Sequence, residues 1–175
     1  EENDIIKIVA NLPYYISSPI IRELLTAERY FERMIFMVQK EVAGRMVAAP
    51  ESGDFGLLSV AVQFYSRVEI IHEVSPSVFI PRPEVDSCII RLSPYQQAPY
   101  QVADENYFFR VVKAIFQLRR KNIKNALTGA STLNISKDKV LEALKRCEID
   151  PRLRGEKLNI KKMVQLSNQM YQLDK

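Results

Sequence analysis

Tryptophan is absent from the 175 residues, histidine appears once, cysteine twice and glycine five times. Each scarcity removes a class of chemistry. Cys88 and Cys147 are isolated and lack Cys-x-x-Cys spacing, which argues against a disulfide framework or a zinc site and leaves two buried or inert thiols. His72 stands alone in a β-rich run and reads as a structural or surface residue, so no metal site is expected. No two glycines form a Gly-x-Gly loop of the kind that cradles a dinucleotide-like cofactor, and no strand with an acidic end precedes Asn11 to hold a ribose. No apolar stretch approaches the roughly 20 residues of a membrane span, and no signal peptide opens the chain. A cytoplasmic protein with no membrane partner is the expectation.

What is present is ordinary in amount and uneven in arrangement. With 47% apolar and 26% charged residues, the composition suits a globular chain of one domain and a small second one. Residues 1–100 carry 9 Lys and Arg against 13 Asp and Glu, whereas residues 101–175 carry 16 against 8, so the net charge of +4 divides into −4 and +8. A basic excess confined to one end suggests a polyanionic partner; on charge alone, a solvated basic helix face accounts for it equally well.

The run Ile5-Ile6-Lys7-Ile8-Val9-Ala10 stops at Asn11-Leu12-Pro13-Tyr14. A β-branched run ending at a proline reads as a buried parallel strand, and the turn beyond such a strand is where open α/β sheets place ligands. The four residues suit an exocyclic adenine amine, whose lone pair is delocalised into the ring. The Asn11 side chain and the Leu12 carbonyl can accept both amine hydrogens, favouring a pyramidal nitrogen with its lone pair facing a methyl donor. Pro13 fixes its own φ and drives Leu12 towards an extended conformation, and Tyr14 offers a ring face. Asn-x-Pro-Tyr arises by accident in about one chain of this length in a hundred, so the motif needs company.

Along the chain, Ser17-Ser18-Pro19 is expected to cap a helix from Ile20 to about Glu28. Residues 34–38 read as a strand covered on both faces and 40–48 as a helix; 49–54 form a loop, and Leu57, Leu58, Val60, Ala61 and Phe64 the stripe of another helix. This is the rhythm of a doubly wound sheet. Residues 67–75 and 85–92 follow as two strands without a helix between them, an antiparallel pair at the sheet edge. Their connection, Phe79-Ile80-Pro81-Arg82-Pro83, is stiffened by two prolines. It can present Phe79 to a stacked base, an interaction worth about 1–3 kcal/mol; a core plug is the alternative role. Arg82 is left free for phosphate.

Residues 93–100 read as a linker. Asp104 opens a helix with the stripe Phe108, Val111, Val112, Ile115 and Phe116. Arg119, Arg120, Lys121 and Lys124 follow among polar amides and suit RNA backbone contact, with Ile123 and Leu127 keeping one face docked. Ser136 caps a helix carrying Val140, Leu141 and Leu144 that ends near Cys147. Arg152 and Arg154 form a second basic turn after Asp150-Pro151. Asn159 or a neighbour begins a last helix with Lys161, Lys162, Met163, Leu166 and Met170.

Six blocks then combine: Asn-Leu-Pro-Tyr at 11–14, Val-Gln-Lys-Glu-Val-Ala-Gly-Arg at 38–45, Phe-Gly-Leu-Leu-Ser-Val at 55–60, Phe-Ile-Pro-Arg-Pro-Glu-Val-Asp-Ser at 79–87, Phe-Gln-Leu-Arg-Arg-Lys at 116–121 and Arg-Gly-Glu-Lys-Leu at 154–158. In this order and spacing the chain resembles the KsgA-type ribosomal RNA adenine dimethyltransferases. The resemblance implies an α/β fold: the carboxyl-terminal half of a Rossmann-like methyltransferase sheet over residues 1–98, then a small all-helical RNA-binding domain over 99–175. The family's amino-terminal half, which holds most of the S-adenosylmethionine site, is missing. The chain is therefore expected to be a piece of a larger protein, inactive alone.

The implied activity is transfer of methyl groups from S-adenosylmethionine to N6 of two adjacent adenines near the 3′ end of small-subunit rRNA. Asn11 and Leu12 would bind the amine, Pro13 would stiffen them, Tyr14 and Phe79 would hold the ring, and Asn11 would also touch the cofactor. The proton leaves to solvent or to the Asn11 oxygen, and no strong general base is required. The target must be flipped or already unpaired. Arg82, Arg119, Arg120, Lys121, Lys124, Arg152 and Arg154 would grip RNA, the partners being small-subunit rRNA and the assembling small subunit, and a monomer is expected. Two other readings share these residues: an Erm-type rRNA or DNA adenine methyltransferase, and a non-catalytic module that recognises the assembling subunit.

Overall fold

The computed structural model describes residues 6–27 and 31–175; Ile5 and Glu28, at the limits of two expected elements, lie outside them. The chain forms two compact units, Glu1–Ala49 with Leu58–Pro99, and Pro50–Leu57 with Tyr100–Lys175. The short segment between the second and third helices thus belongs with the helical part, which a linear division at 98 does not convey.

The first unit is a four-stranded mixed sheet in the order β1-β2-β4-β3, built from β1 (Ile6–Asn11), β2 (Phe31–Gln39), β3 (Ser66–Val74) and β4 (Ser87–Pro94). β1 runs parallel to β2, and β4 is antiparallel to both β2 and β3. Of the expected antiparallel pair, β3 is at the edge and β4 lies inside the sheet. Helices α1 (Ser17–Leu25), α2 (Lys40–Val47) and α3 (Leu57–Tyr65) connect the strands. Met34, Phe36 and Val38 of β2 and Cys88, Ile90 and Leu92 of β4 are buried with Ile21, Ala43, Met46 and Val62. Alternation along β2 and β4 places these side chains on one face, because successive residues of a strand point to opposite sides.

The expectation of strands covered on both faces is corrected here. Ile35 and Met37 are half-buried, and in β1 Lys7, Val9 and Asn11 are exposed, with Val9 at 79%. The expected start of α1 is also corrected. A 3-10 turn over Tyr14–Ile16 runs directly into the helix, so Ser17 is already helical, is buried, and donates its hydroxyl to the Tyr14 carbonyl. Pro19 falls in the first helical turn, where no intrahelical N–H bond is needed. The stripe of α3 is shifted too: Ser59, Val60, Val62 and Phe64 are buried while Leu57 is exposed.

The second unit packs α4 (Glu105–Gln117), α5 (Ile123–Thr128), α6 (Lys137–Arg146) and α7 (Ile160–Asp174). Asp104, Asn122, Ser136 and Asn159 each accept a backbone N–H three residues on, satisfying a donor the helix cannot; such caps contribute about 1 kcal/mol each. Phe108, Val111, Ile123, Leu127, Val140, Leu144, Met163 and Leu166 fill the core. Gly155 touches α4 so closely that a Cβ built on it would overlap Ile115 Cγ2. Only glycine permits this approach.

Candidate functional site

Two connections at one end of the sheet form an open cleft of about 320 Å³ lined by Asn11, Leu12, Pro13, Tyr14, Phe79, Pro81 and Pro83. That volume lies within the usual range for small-ligand sites, about 300–1,000 Å³. Asn11 is the last residue of β1 and pairs in register with Met37, so the ladder sets its position. Leu12 is buried, and its N–H donates to the Met37 carbonyl at 3.3 Å. Pro13 holds φ −57° and ψ 128°, and its carbonyl accepts the Ile16 N–H that closes the 3-10 turn. The half-buried Tyr14 is tied by its hydroxyl to Ser87 Oγ at 2.6 Å.

The facing wall is the connection between β3 and β4. Ser75 caps a short turn over Pro76–Val78, and Phe79 leaves it at φ −109°, ψ 145°, before a cis Ile80–Pro81 peptide. Phe79, Pro81 and Pro83 line the cleft, and Val78, Ile80 and Arg82 are exposed. Phe79 is half-buried and is not a core plug. The cleft wall is therefore neutral: one amide, two aromatic rings, one leucine and three prolines. Such a surface suits a flat, uncharged ring with hydrogen-bonding edges.

Lys40, which opens α2, meets Glu73 Oε2 at 2.7 Å, and that carboxylate raises the lysine pKa above its ordinary value. Burial pushes the Cys88 thiol up, and Cys147 likewise, so neither is set up as a nucleophile. His72 is exposed on β3, and among the described residues no group of three His, Cys, Asp or Glu is arranged to hold a metal.

In the helical unit the structure joins what the sequence separates. The Ile123 N–H donates to the Leu153 carbonyl at 2.7 Å and the Lys124 N–H to the Pro151 carbonyl, stitching the start of α5 to the turn after α6. Arg120, Lys121, Arg152 and Arg154 are exposed and Lys124 is half-buried, so the two basic segments form one surface. Arg119 meets this surface through Glu156, whose carboxylate also pairs with Arg154. Its guanidinium donates to the Gly53 and Phe55 carbonyls at 2.8 and 3.3 Å and lies 3.6 Å from Glu156, holding segment 50–57 in the unit. Lys162 similarly donates to the Cys147 carbonyl at the end of α6. Both cations thus hold backbone carbonyls of their own unit, and the Arg119 side chain stays exposed.

None of the five glycines lines the cleft or adopts a left-handed conformation, and Asn11 is the one cleft residue expected to touch S-adenosylmethionine. These residues fit the acceptor side of a transfer and do not by themselves build a donor site. The sequence reading gave no role to Ser87, whose hydroxyl meets that of Tyr14. The available signal was a hydroxyl opening an otherwise apolar strand, Ser87-Cys88-Ile89-Ile90, directly after the proline loop.

Comparison with known proteins gives a consistent result. A family model described as ribosomal RNA adenine dimethylase matches residues 1–172. A ribosomal RNA small subunit methyltransferase A of Halothermothrix orenii is 54% identical over 166 residues, covering 95% of this chain and 55% of that protein. Its counterpart in Clostridium botulinum is 44% identical over 173 residues, covering 99% of this chain and 62% of that protein. The chain thus spans little more than half the length of the curated relatives it matches. Among solved structures, a dimethyladenosine transferase from Plasmodium falciparum aligns with a TM-score of 0.78 at 24% identity, over 93% of this chain and 66% of that one. The 23S rRNA methyltransferase ErmE aligns at 0.65 and 23%, over 94% of this chain and 65% of that one, and both likenesses speak to fold. By the extent of the family match and the identity of these relatives, the chain belongs to the ribosomal RNA adenine dimethylase family.

Proposed function

We propose that this chain supplies the adenine-binding cleft and an RNA-gripping helical unit of an S-adenosylmethionine-dependent dimethyltransferase acting on N6 of two adjacent adenines near the 3′ end of small-subunit rRNA. The observation that carries this reading is the convergence of Asn11, Leu12, Tyr14 and Phe79 on one neutral cleft. An amide oxygen and a main-chain carbonyl at its end suit the two hydrogens of an exocyclic amine, and two rings suit the faces of a purine. With the amine held pyramidal and positioned, no strong general base is needed. The adenine enters unpaired or flipped, because a stacked base does not reach such a cleft.

Arg120, Lys121, Lys124, Arg152 and Arg154 would meet the RNA backbone as one surface, with Arg82 beside the cleft as a further phosphate contact. Arg119 contributes by shaping that surface. Asn11 is the one contact this chain offers the methyl donor, most of whose site would lie in the part of the relatives that the chain does not span, so the chain alone would neither bind S-adenosylmethionine tightly nor transfer methyl groups. In the full-length protein the same surface serves recognition of the assembling small subunit.

The experiment is methyl transfer by the full-length protein to small subunits isolated without the modification, with the product mapped by mass spectrometry. N6-dimethyladenine at two adjacent positions is expected. Methylation of large-subunit RNA or of DNA instead would support the Erm-type or DNA reading. Capture of immature subunits without any transfer would leave the assembly module as the function.

A further inference from the structure

We propose that Ser87 is a positioning residue, its buried hydroxyl setting the orientation of the Tyr14 ring across the cleft from Phe79. The inference rests on the reading of the cleft as a base site, and it assigns a role to a side chain outside the cleft wall. Ser87 is fully buried as the first residue of β4, where it pairs in register with Gln39 of β2 and with Val74 of β3. Its neighbour Asp86 accepts the Lys40 N–H through its carbonyl at 2.9 Å. The backbone carrying Oγ is therefore held on both sides.

Tyr14 sits in a single 3-10 turn, and the Tyr14–Ser87 contact at 2.6 Å is a hydroxyl-to-hydroxyl bond spanning 73 residues of sequence. Ser87 also lies eight residues after Phe79. One hydroxyl thus references the ring on one wall to the strand from which the other wall is hung. Without it the Tyr14 ring is free to turn about its side-chain bonds, and the spacing between the two rings is no longer set.

The test uses the full-length protein and an unmodified small-subunit substrate, comparing wild type with Ser87→Ala, Tyr14→Phe and the double variant. Each single change is expected to lower kcat about tenfold with KM for the RNA unchanged, and the double variant to lose no more than either single, since both remove one bond. Ser87→Ala is expected to keep its melting temperature. Losses that multiply in the double variant, or turnover that falls only in step with melting temperature, would overturn the proposal. If Ser87→Ala fails to fold, Tyr14→Phe decides alone, because it leaves β4 intact; wild-type turnover there rejects the role. Asn11→Ala run alongside separates the two levels. Inactivity of Asn11→Ala with full activity of Tyr14→Phe rejects only the Ser87 assignment, whereas full activity of Asn11→Ala rejects the base site itself.

Discussion

The cleft of the sheet-bearing unit is lined by neutral groups set by a β-ladder and three prolines, whereas the helical unit presents Arg120, Lys121, Arg152 and Arg154 on turns joined by two backbone hydrogen bonds. A neutral, preorganised wall discriminates by shape and hydrogen-bond direction, and its contribution is nearly independent of salt. A cationic surface gains affinity by releasing counterions, carries little sequence information, and weakens steeply with salt. Under the proposed function the two regions divide selection of an atom from retention of a strand, and damage to each is expected to look different.

The sharpest way to break that division is Asn11→Ala in the full-length protein. Methyl transfer should fall by about a hundredfold or more, the scale seen when one preorganised polar group is removed from a transition state, while rRNA affinity stays near wild type. Filter binding alongside the transfer assay reads both; a parallel loss of affinity would merge the two roles. Next in size, Arg120→Ala with Arg152→Ala should weaken rRNA binding and flatten the log–log salt dependence by about 0.9 for each phosphate no longer neutralised, with turnover at saturating RNA preserved. Arg119→Ala serves as the contrast. Its salt slope should change little and its thermal stability should drop, because its partners are the Gly53 and Phe55 carbonyls and Glu156.

Gly155→Ala should destabilise the helical unit by about 1–3 kcal/mol through overpacking against Ile115, read by denaturant unfolding, with the cleft unaffected. A smaller and opposite effect is expected at Tyr107. Its hydroxyl is buried without a hydrogen-bond partner among the described residues, and desolvation, with the nearby Asp174 carboxylate, pushes its pKa up to about 12. The folded state thus keeps a proton that the unfolded state releases near pH 10, so stability is present below pH 10 and declines as pH rises towards 12. Tyr107→Phe should be neutral or slightly stabilising at pH 7 and should remove that alkaline decline.

The least effect belongs to Glu69, whose carboxyl the Arg91 guanidinium, 2.9 Å away, holds below its usual range. Stability from this pair is present above the ordinary glutamate pKa and is lost as pH falls through the lowered one. Glu69→Gln should therefore cost a little at neutral pH and nothing in strong acid, as thermal melts across pH would show.

How much was legible follows from which interactions are local. Ser136 could be named as a cap, and Asp104 and Asn159 or its neighbour as helix starts, because a cap bonds a backbone N–H three residues away. The expected cap at Ser17 was displaced because the preceding turn was already wound, and that turn depends on the Pro13 carbonyl meeting Ile16. The fully covered strands were misjudged because a β-branched run reports hydrophobicity and not which face finds a neighbour. Arg119 looked like its neighbour Arg120 until the carbonyls of segment 50–57 were found beside it.

The sequence by itself determined the family, the order of strands and helices, the polarity of the two ends and the identity of the motif at residues 11–14. These rest on residue type, short-range spacing and block order. Tertiary structure alone decided that Tyr14 and Phe79 face one cleft, that Ser87 reaches across to hold one of them, and that two basic turns far apart in the chain form a single surface. Those facts depend on strand register and on hydrogen bonds between distant backbones, which no local pattern of side chains encodes.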